Sequence, residues 1–367
     1  MKILEICEFS SGACGVWTRV FSESQEFVKR GHEVIVFSSN LEKGTGKITS
    51  KLEETIEGVK IKRFKSNIDK ADKFISKNVT YFNFKSDLIS LSPDIVITHL
   101  IHPHSFKALK ICKKLKIPCI LVTHAPFNVK RSFPLNFLTY IYYKIKVAPA
   151  IKKFSKIVKV TKWETNYLNQ LGIKDKDTIY IPNGILDEFF SYPKNTVEKG
   201  ILFLGRIAPV KNIELLISTA REFPKIKFDI VGPAEPDYLE KINSLAKGLK
   251  NIKILPPVYN IKEKISLIDS HKIFILPSWR EAMPQGLLEA MARGKIVLAS
   301  ETDGAKEIIK NGKNGFIFKQ NDLTSLSELI KNSLKGNTKV SVQAKKEAIK
   351  YSWSKLIKNY EVLFNSL

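Results

Sequence analysis

Residues 273–299, IFILPSWREAMPQGLLEAMARGKIVLA, decide the fold of this 367-residue chain. Two short apolar runs, at 273–276 and 296–299, flank a segment whose apolar spacing predicts a helix over 285–293. Continuous apolar strands joined by helices are typical of a parallel sheet that is covered on both faces. The stretch therefore predicts one strand–helix–strand unit of an α/β domain.

The same alternation continues in both directions along the chain. Further strands are predicted over 3–7, 34–37, 95–98, 120–123, 157–160, 178–181, 201–204, 228–231 and 252–255, and further helices over 16–30, 106–115 and 213–222. At this length we expect two Rossmann-like domains whose sheets face each other across a cleft. A linker rich in proline and glycine sets the domains at 1–190 and 191–350, followed by a C-terminal segment over 351–367.

The charge of the chain is strongly unbalanced. It contains 60 Lys and Arg against 36 Asp and Glu, which gives a formal net charge of +24. Such an excess points to an anionic partner, whether a nucleic acid, a phosphorylated small molecule or a membrane surface. No acidic residue lies between Asp94 and Glu164, and that interval carries +14 of the total.

Several classes of protein are disfavoured. The N-terminus, MKILEICEFS, lacks the apolar core of a signal peptide. The best candidate for a membrane span, residues 133–145, is too short. The four cysteines lack zinc spacing and are interpreted as free thiols of a reducing compartment. We therefore expect a cytoplasmic protein without a membrane span.

Small residues fill the loop after the first predicted strand, SSGACG at 10–15. Gly12 and Gly15 would let backbone N–H groups approach an anion at the start of the next helix. A tight strand-to-helix turn explains the same glycines equally well. The loop lacks the Gly-x-Gly-x-x-Gly spacing of dinucleotide sites, so an NAD-dependent dehydrogenase is disfavoured.

Two cations follow the strand predicted over 201–204, in GRIAPVKN at 205–212. Arg206 and Lys211 could clamp a diphosphate, the first as a planar fork and the second as a point charge. Taken alone, such a pair is more often a solvated surface feature.

Glu281 and Glu289 lie eight residues apart, so one continuous helix would not place them on a single face. Pro284 stands where a helix should begin, which puts Glu281 in the preceding loop and Glu289 in the second helical turn. The N–H groups of the first turn can then hold a phosphate, and each carboxylate can accept from two vicinal hydroxyls. This arrangement predicts a nucleotide-sugar pocket, whose donor-binding turn consists of Pro284, Gln285, Gly286 and Leu287.

Taken together, these motifs resemble the family-4 retaining glycosyltransferases of the GT-B fold, also called glycosyl transferases group 1. The resemblance covers almost the whole chain and is carried by the N-terminal glycine loop, PNGI at 182–185, GRIAPVKN at 205–212, Glu-x7-Glu at 281–289 and DGAKEIIKNGKNGFIF at 303–318. It implies an α/β fold of two Rossmann-like domains and a final helix, within 351–367, that crosses back onto the N-terminal domain.

The resemblance also implies residue roles. Arg206 and Lys211 would neutralise the leaving diphosphate. Glu289 would hold the ribose hydroxyls and Glu281 would contact the transferred sugar. His124, in VTHAPFN at 122–128, matches the histidine that touches the sugar near the reacting carbon. The family retains anomeric configuration without a metal or other cofactor, so the protein contributes positioning and charge stabilisation.

The chain departs from the commoner family pattern at two places. Ala13-Cys14 separates Gly12 from Gly15, where adjacent glycines are frequent. The usual Glu-Gly-Phe-Gly is replaced by EAMP at 281–284, which leaves the donor sugar unassigned.

Three histidines, His99, His102 and His104, follow one predicted strand, and His124 follows the next. A metal site is conceivable because imidazole is a common ligand. No cysteine or carboxylate lies beside them in the sequence, so we predict no metal and favour imidazoles lining the cleft. His102 or His104 would then face the acceptor.

Lys130 and Arg131 are followed by aromatic and aliphatic residues and then by Lys144 and Lys146. This composition suits the headgroup boundary of an anionic membrane. We therefore expect transfer of a hexose or N-acetylhexosamine from a nucleoside-diphosphate sugar, with UDP favoured, to a lipid-linked acceptor. The location would be the cytoplasmic face of the cell membrane.

Two alternatives remain open. The same basic and aromatic residues could bind single-stranded nucleic acid, although no RNA-binding or DNA-binding motif is present. The complete set of diphosphate and diol ligands disfavours that class. A GT-B sugar-nucleotide epimerase or phosphorylase would share those ligands, and product analysis with a donor and no acceptor would distinguish it.

Overall fold

The computed structural model describes residues 1–12, 14–43, 46–69, 79–125, 135–190, 198–336 and 338–367. The chain forms two compact units. The first consists of Met1–Gly184 together with Leu356–Leu367, and the second consists of Ile185–Lys355. Within the described ranges, no helix is both long enough and apolar enough to cross a membrane.

The boundary between the units lies at Gly184/Ile185, a few residues before the predicted 190/191. Residues 185–190 belong to the second unit because their backbone is bonded there. Ile185 N donates to the carbonyl oxygen of Tyr351 at 2.8 Å, and Arg293 donates to the carbonyl oxygen of Phe189 at 3.2 Å.

The first unit is built on one large sheet. Its strands are β1 (Lys2–Phe9), β2 (Glu33–Ser39), β3 (Glu53–Ile56), β4 (Val59–Phe64), β5 (Ser66–Asp69), β6 (Val79–Phe82), β7 (Ile95–His99), β8 (Cys119–Val122), β9 (Lys156–Lys159) and β10 (Thr178–Tyr180). Its helices are α1 (Gly15–Lys29), α2 (Lys85–Leu91), α3 (Pro103–Leu115), α4 (Leu135–Tyr142), α5 (Ala148–Ile151) and α6 (Glu164–Gln170), with a π-helical turn at Tyr143–Val147.

Eight of these strands form a sheet in the order β10-β9-β8-β7-β1-β2-β4-β3, parallel except where β3 pairs with β4. The side chains of β1 alternate between two cores, as a buried strand requires. Leu4 and Ile6 pack in a core that includes Ala108 of α3, whereas Cys7 packs with Val20 of α1. Helices therefore cover both faces of the sheet, as the continuous apolar strands predict.

A second parallel sheet forms the core of the other unit. Its strands are β11 (Ile201–Leu204), β12 (Phe228–Val231), β13 (Ile252–Leu255), β14 (Ile273–Leu276), β15 (Ile296–Ser300) and β16 (Phe316–Phe318), and its helices are α7 (Ile213–Glu222), α8 (Pro236–Ala246), α9 (Ile261–Asp269), α10 (Gln285–Ala292), α11 (Asp303–Ile308), α12 (Leu323–Leu334) and α13 (Thr338–Ala348). The strand order is β13-β12-β11-β14-β15-β16. Both units are α/β and Rossmann-like, which confirms the predicted fold class.

The last helix, α14 (Trp353–Phe364), belongs to the first unit from Leu356 onward. Tyr360 is fully buried there, and its hydroxyl accepts a hydrogen bond from Arg19 of α1 at 3.1 Å. Its ring meets Phe27 edge-on, with centroids 5.4 Å apart. A second aromatic contact joins Phe27 to Phe364, with ring centroids 5.6 Å apart, so one polar and two aromatic contacts hold α14 against α1.

Each sheet has one point at which the strand order reverses, between β7 and β1 in the first unit and between β11 and β14 in the second. Open α/β sheets bind ligands beyond the carboxyl ends of their strands at such points. We therefore expect the functional residues to follow β1, β7, β11 and β14.

Candidate active site

Lys211 and Glu281 form the centre of the candidate site in the second unit. Lys211 ends a short 3-10 turn after β11, and Glu281 lies in the loop between β14 and α10. The ammonium nitrogen of Lys211 lies 2.6 Å from Glu281 Oε1, and the hydroxyl of Ser278 donates to the same oxygen at 2.6 Å. The sequence predicts both charged residues as ligands but not this direct pairing.

The loop that carries Glu281 is fixed by its backbone. The amide of Gly304, in the first turn of α11, donates to the carbonyl oxygen of Glu281 at 3.1 Å. A Cβ at position 304 would lie 2.5 Å from the carbonyl oxygen of Ala282, so only glycine allows this approach. Trp279 N also donates to the carbonyl oxygen of Val210 at 2.9 Å, which ties the loop to the segment after β11.

Helix α10 begins at Gln285, directly after Pro284, and within the described part of the chain no side chain caps its N-terminus. Its first N–H groups therefore remain available to an anion, and the helix dipole favours a negative charge at this end. Gly286 packs closely on β11, since a Cβ there would lie 3.1 Å from the carbonyl oxygen of Leu204. Leu287 is fully buried, so only its backbone can contact a ligand.

Glu289 occupies the second turn of α10, where the sequence places it, and is 4% exposed. Its Oε1 accepts from the ammonium group of Lys264 in α9 at 2.6 Å. Its Oε2 is buried and has no hydrogen-bond partner among the described residues. A buried carboxylate oxygen without a donor is costly, so this atom is suited to accept a hydrogen bond from a ligand hydroxyl.

Arg206 follows β11 directly and its side chain is about one-third exposed. Its guanidinium pairs with Glu235, at the start of α8, at 2.5 Å. Arg206 and Lys211, the two predicted diphosphate ligands, are therefore each paired with a carboxylate. The Arg206–Glu235 pair is partly solvated, and such pairs stabilise proteins by only about 0–1 kcal/mol, so it can open when an anion binds.

In the first unit, Gly12 and Gly15 differ in why a glycine suits each position. Gly12 has φ = +77°, and a Cβ there would lie 2.4 Å from the carbonyl oxygen of Lys43, so packing alone requires glycine. A Cβ at Gly15 would meet nothing within 4 Å. Gly15 opens α1, whose N-cap residue, Cys14, makes no side-chain cap. The open helix start at Gly15 fits the predicted approach of an anion, whereas Gly12 is explained by the turn.

His124 follows β8 with an unusual backbone. Its φ is +56° and that of Ala125 is +50°, a left-handed conformation that is strained for residues other than glycine. The carboxylate of Glu164 holds this turn, accepting from the hydroxyl of Thr123 and from Ala125 N at 2.8 Å. The side chain of His124 is therefore presented by a rigid turn after the strand.

The two other predicted histidines are mostly buried. His104 is 3% exposed, and its Nε2 bonds to the carbonyl oxygen of His99 at 2.8 Å. It therefore supports the end of β7 and does not line an open surface, contrary to its expected place facing the acceptor. His102 is 12% exposed along its side chain, and its Nε2 lies 3.6 Å from Glu8. Burial lowers the pKa of His102 to about 2, so this ring is uncharged.

The structure of this chain is similar to several solved structures. Sucrose-phosphate synthase from Thermosynechococcus elongatus aligns with TM-score 0.79 and 15% identity, covering 100% of this chain and 98% of that chain. HepE from Anabaena, solved in complex with UDP and glucose, aligns with TM-score 0.75 and 16% identity, covering 100% of both chains. These likenesses identify the fold as GT-B.

Two family models match the sequence. "Glycosyltransferase Family 4" matches residues 13–189, and "Glycosyl transferases group 1" matches residues 185–351. The chain belongs to the family-4 glycosyltransferases. An uncharacterized glycosyltransferase of Methanocaldococcus jannaschii is 27% identical to it over 316 residues, 79% of each protein. N,N'-diacetylbacillosaminyl-diphospho-undecaprenol alpha-1,3-N-acetylgalactosaminyltransferase of Campylobacter jejuni is 24% identical over 265 residues, 65% of this chain and 67% of that protein.

One group of side chains in this glycosyltransferase has the spacing of a metal site. Ligand atoms of Glu5, Glu23 and His99 lie within 4.8 Å of one another, and all three residues are buried. Arg19 already supplies a cation there, because its Nε lies 3.1 Å from Glu23 Oε2. The cluster is thus an internal ion-pair network, and we assign no metal to it.

The basic and aromatic stretch from Lys130 to Lys146 is described only in part. Lys130 and Arg131 lie outside the described residues. Lys144 and Lys146 are both exposed in the π-helical turn after α4. Large apolar side chains share this exposed surface, namely Phe137 (56% exposed), Leu138 (54%), Tyr142 (43%) and Ile145 (62%). We call these six residues the α4 surface.

Several residues that shape the site were not predicted. Thr161 and Glu164 have the Thr-x-x-Glu spacing of a helix capping box, a signal that could have identified Glu164. Ser278 lies three residues before Glu281 and would have been a reasonable candidate. Lys264 and Glu235 carry no local signal, because each meets its partner only through the fold.

Proposed function

We propose that this glycosyltransferase moves a hexose or N-acetylhexosamine from a UDP-sugar, with retention of anomeric configuration, to a lipid-linked acceptor. The observation that carries the proposal is the arrangement after β14. Glu281 is paired with Lys211 just before the uncapped start of α10, and Glu289 has a free buried oxygen in the next turn. A nucleoside diphosphate offers a matching diol and a matching anion.

In this proposal the second unit holds the donor. Glu289 Oε2 accepts from a ribose hydroxyl, while the first N–H groups of α10 bind the diphosphate. Arg206 and Lys211 neutralise the charge that develops on the diphosphate as the glycosidic bond breaks. Two cations and a helix N-terminus supply this stabilisation, so the reaction needs no metal ion. UDP is favoured because HepE, which shares the fold, was solved with UDP and glucose.

His124 serves as an uncharged hydrogen-bonding group toward the donor sugar. Burial and the nearby His99 lower the pKa of His124 well below its usual value, so its ring is neutral at physiological pH. A neutral imidazole can orient a sugar hydroxyl without itself attracting an anion.

Nucleotide binding and product stereochemistry test this function. UDP at a hundred times its Kd should stabilise the protein by about 2.7 kcal/mol, visible as a higher Tm. NMR of the product should show the same anomeric configuration as the donor, and EDTA should not change the rate. An inverted product, or no rise in Tm with any nucleoside diphosphate, would contradict the proposal.

We further propose that the α4 surface binds the anionic inner face of the cell membrane, where a lipid-linked acceptor would lie. Exposed aromatic and aliphatic side chains beside lysines suit the headgroup boundary. The name of the Campylobacter jejuni relative specifies an undecaprenol-linked substrate, which supports an acceptor of this class.

Reversing charge on the α4 surface should weaken membrane binding. Each lysine near an anionic surface contributes about 1 kcal/mol, so Lys144→Glu with Lys146→Glu should lower the partition coefficient by roughly 30-fold or more. Sedimentation with vesicles containing phosphatidylglycerol measures this, and UDP binding should be unchanged. The matched control is Lys113→Glu with Lys114→Glu, which changes the same charge on exposed residues of α3. Equal losses in both double variants would argue against a specific surface.

A further inference from the structure

A chain of buried hydrogen bonds runs inward from His124. His124 Nε2 lies 2.9 Å from His99 Nδ1, and His99 Nε2 lies 2.5 Å from Glu5 Oε2. His99 and Glu5 are fully buried, whereas His124 is half-buried. The other ring nitrogen of His124, Nδ1, has no hydrogen-bond partner among the described residues. The chain therefore links a ligand-accessible nitrogen to a carboxyl group in the central strand.

Because the three side chains are hydrogen-bonded in series, the protonation state of Glu5 determines which ring nitrogens of His99 and His124 carry a proton. A neutral imidazole has one N–H and one bare nitrogen, so a donor on one side requires an acceptor on the other. If Glu5 is ionised, His99 Nε2–H donates to it, His124 Nε2–H donates to His99 Nδ1, and His124 Nδ1 is bare. If Glu5 is protonated, its O–H donates to His99 Nε2, every bond reverses, and His124 Nδ1 carries the proton.

The charge of the surrounding cluster determines whether Glu5 is protonated. Two carboxylates, Glu5 and Glu23, face one permanent cation, Arg19. Glu23 Oε2 accepts directly from Arg19 Nε at 3.1 Å, whereas the only donors to Glu5 among the described residues are Ser24 Oγ, at 3.5 Å, and His99. The cluster is electroneutral when Glu23 carries the negative charge that balances Arg19 and Glu5 is protonated.

The pKa values agree with this distribution in direction. Burial raises the pKa of Glu5 to about 8 and that of Glu23 to about 7, and burial lowers the pKa of His99 to about 4. The proton thus resides on a carboxyl group and not on an imidazole near neutral pH. The titratable groups that act on this cluster from the elements packed around it are Cys7 of β1, Arg19 of α1, His99 of β7, His104 of α3, His124 after β8 and Tyr360 of α14.

We propose that Glu5 and His99 are positioning residues that form a proton relay and set whether His124 Nδ1 donates or accepts a hydrogen bond toward the donor sugar. In the protonated relay, Nδ1–H donates to a sugar oxygen. Loss of one proton from Nδ1 to solvent is balanced by movement of the Glu5 proton to His99 Nε2 and of the His99 proton from Nδ1 to His124 Nε2. His124 Nδ1 is then bare and accepts a hydrogen bond from a sugar hydroxyl.

The relay is tested by the ring nitrogen shifts of His124 in protein labelled with ¹⁵N-histidine. In the wild type, His124 Nδ1 should change from protonated to bare with a single midpoint as pH rises from 6 to about 9.5, because Glu5 titrates near 8. Glu5→Gln should abolish this change. Its amide carbonyl can accept from Ser24 while its NH₂ donates to His99, which locks His124 Nδ1 in the protonated form at every pH.

Glu8→Gln is the matched control, because Glu8 is a second buried carboxyl group of β1 outside the relay. It should keep the wild-type midpoint at His124. His99→Phe breaks the relay and should also abolish the pH-dependent change. A wild-type His124 that keeps one tautomer, or a Glu5→Gln protein that keeps the wild-type midpoint, would overturn the proposal.

The contact of His124 with the donor sugar rests on the proposed function. Kinetic measurements distinguish a failure of that contact from a failure of the relay. If the relay acts on the donor sugar, kcat/KM in the wild type should change at the midpoint seen by NMR, and Glu5→Gln should remove that inflection. A tautomer change without any kinetic inflection would sustain the relay and reject the contact of His124 with the sugar. An absent tautomer change rejects the relay even if transfer activity is normal.

Discussion

Arg206→Ala should lower kcat/KM for glycosyl transfer by about 10²- to 10³-fold, the usual loss when one preorganised donor to a developing anion is removed. Arg206 lies at the carboxyl end of β11, beside the reversal point of the second sheet. Its side chain and that of Glu235 are both more than one-third exposed. Because a solvated pair contributes little to stability, the variant should fold normally and its loss of activity should report on the reaction.

Two variants make the Arg206 result specific. Arg221→Ala removes another arginine of the second unit, one that donates to the backbone of Leu245 far along α8, and should leave kcat/KM unchanged. Glu235→Ala releases the Arg206 guanidinium and should preserve transfer. Single-turnover measurements distinguish loss of the chemical step from loss of donor binding. Wild-type turnover in Arg206→Ala would show that the diphosphate is stabilised elsewhere.

The second unit is the part of the fold that the sequence predicts best. The strands over 201–204, 228–231, 252–255 and 273–276 and the helix over 213–222 coincide with the observed elements. β11, β12 and β14 are buried along their whole length, so burial decides their structure, whereas β13 is partly exposed.

Strands β3, β5 and β6 could not be predicted in the same way. β3 is almost wholly exposed, and β5 pairs with β6 outside the main sheet. Such short, partly solvated antiparallel strands carry no continuous apolar run. Their stability comes from pairing with residues distant in the sequence.

The ion pairs of the site were also beyond sequence reasoning. Glu281 meets Lys211 across 70 residues and Glu289 meets Lys264 across 25. The sequence identifies these carboxylates by motif, yet it does not reveal which cation holds each one. Only the packing of α9, α10 and the segment after β11 brings the partners together.

Helix α1 shows where the usual assumption about charge is wrong. Its apolar spacing predicts a helix with charged residues in solvent, but Arg19 and Glu23 are fully buried. The available signal was the strand beside it, because β1 carries Glu5 and Glu8 inside an otherwise apolar run. Acids in a central buried strand require a buried cation or a bound proton.

Arg19→Met should destabilise the first unit by about 3–5 kcal/mol, the usual cost of leaving a buried charge without its partner. The guanidinium donates to Glu23, to the carbonyl oxygen of Ile181, to Asn183 and to the hydroxyl of Tyr360. Its removal leaves buried acceptors unsatisfied on α1, after β10 and on α14 at once. Urea unfolding should show the loss, and hydrogen exchange should show reduced protection of α14 while β12 in the second unit is unaffected.

The cost of Arg19→Met should also grow with pH. Arg19 lowers the pKa of both Glu5 and Glu23, so it stabilises their ionised forms. Below about pH 7 these carboxyl groups are protonated with or without Arg19, so the variant loses stability relative to wild type only as pH rises above about 7, where the wild-type acids ionise and those of the variant do not. Glu23→Gln in the same chain should recover part of the loss by removing one buried charge.

Lys29→Met, which breaks a half-exposed pair on the same helix, should cost no more than about 1 kcal/mol. Equal, pH-independent losses in Arg19→Met and Lys29→Met would mean that Arg19 acts through packing and not through the charge of the cluster.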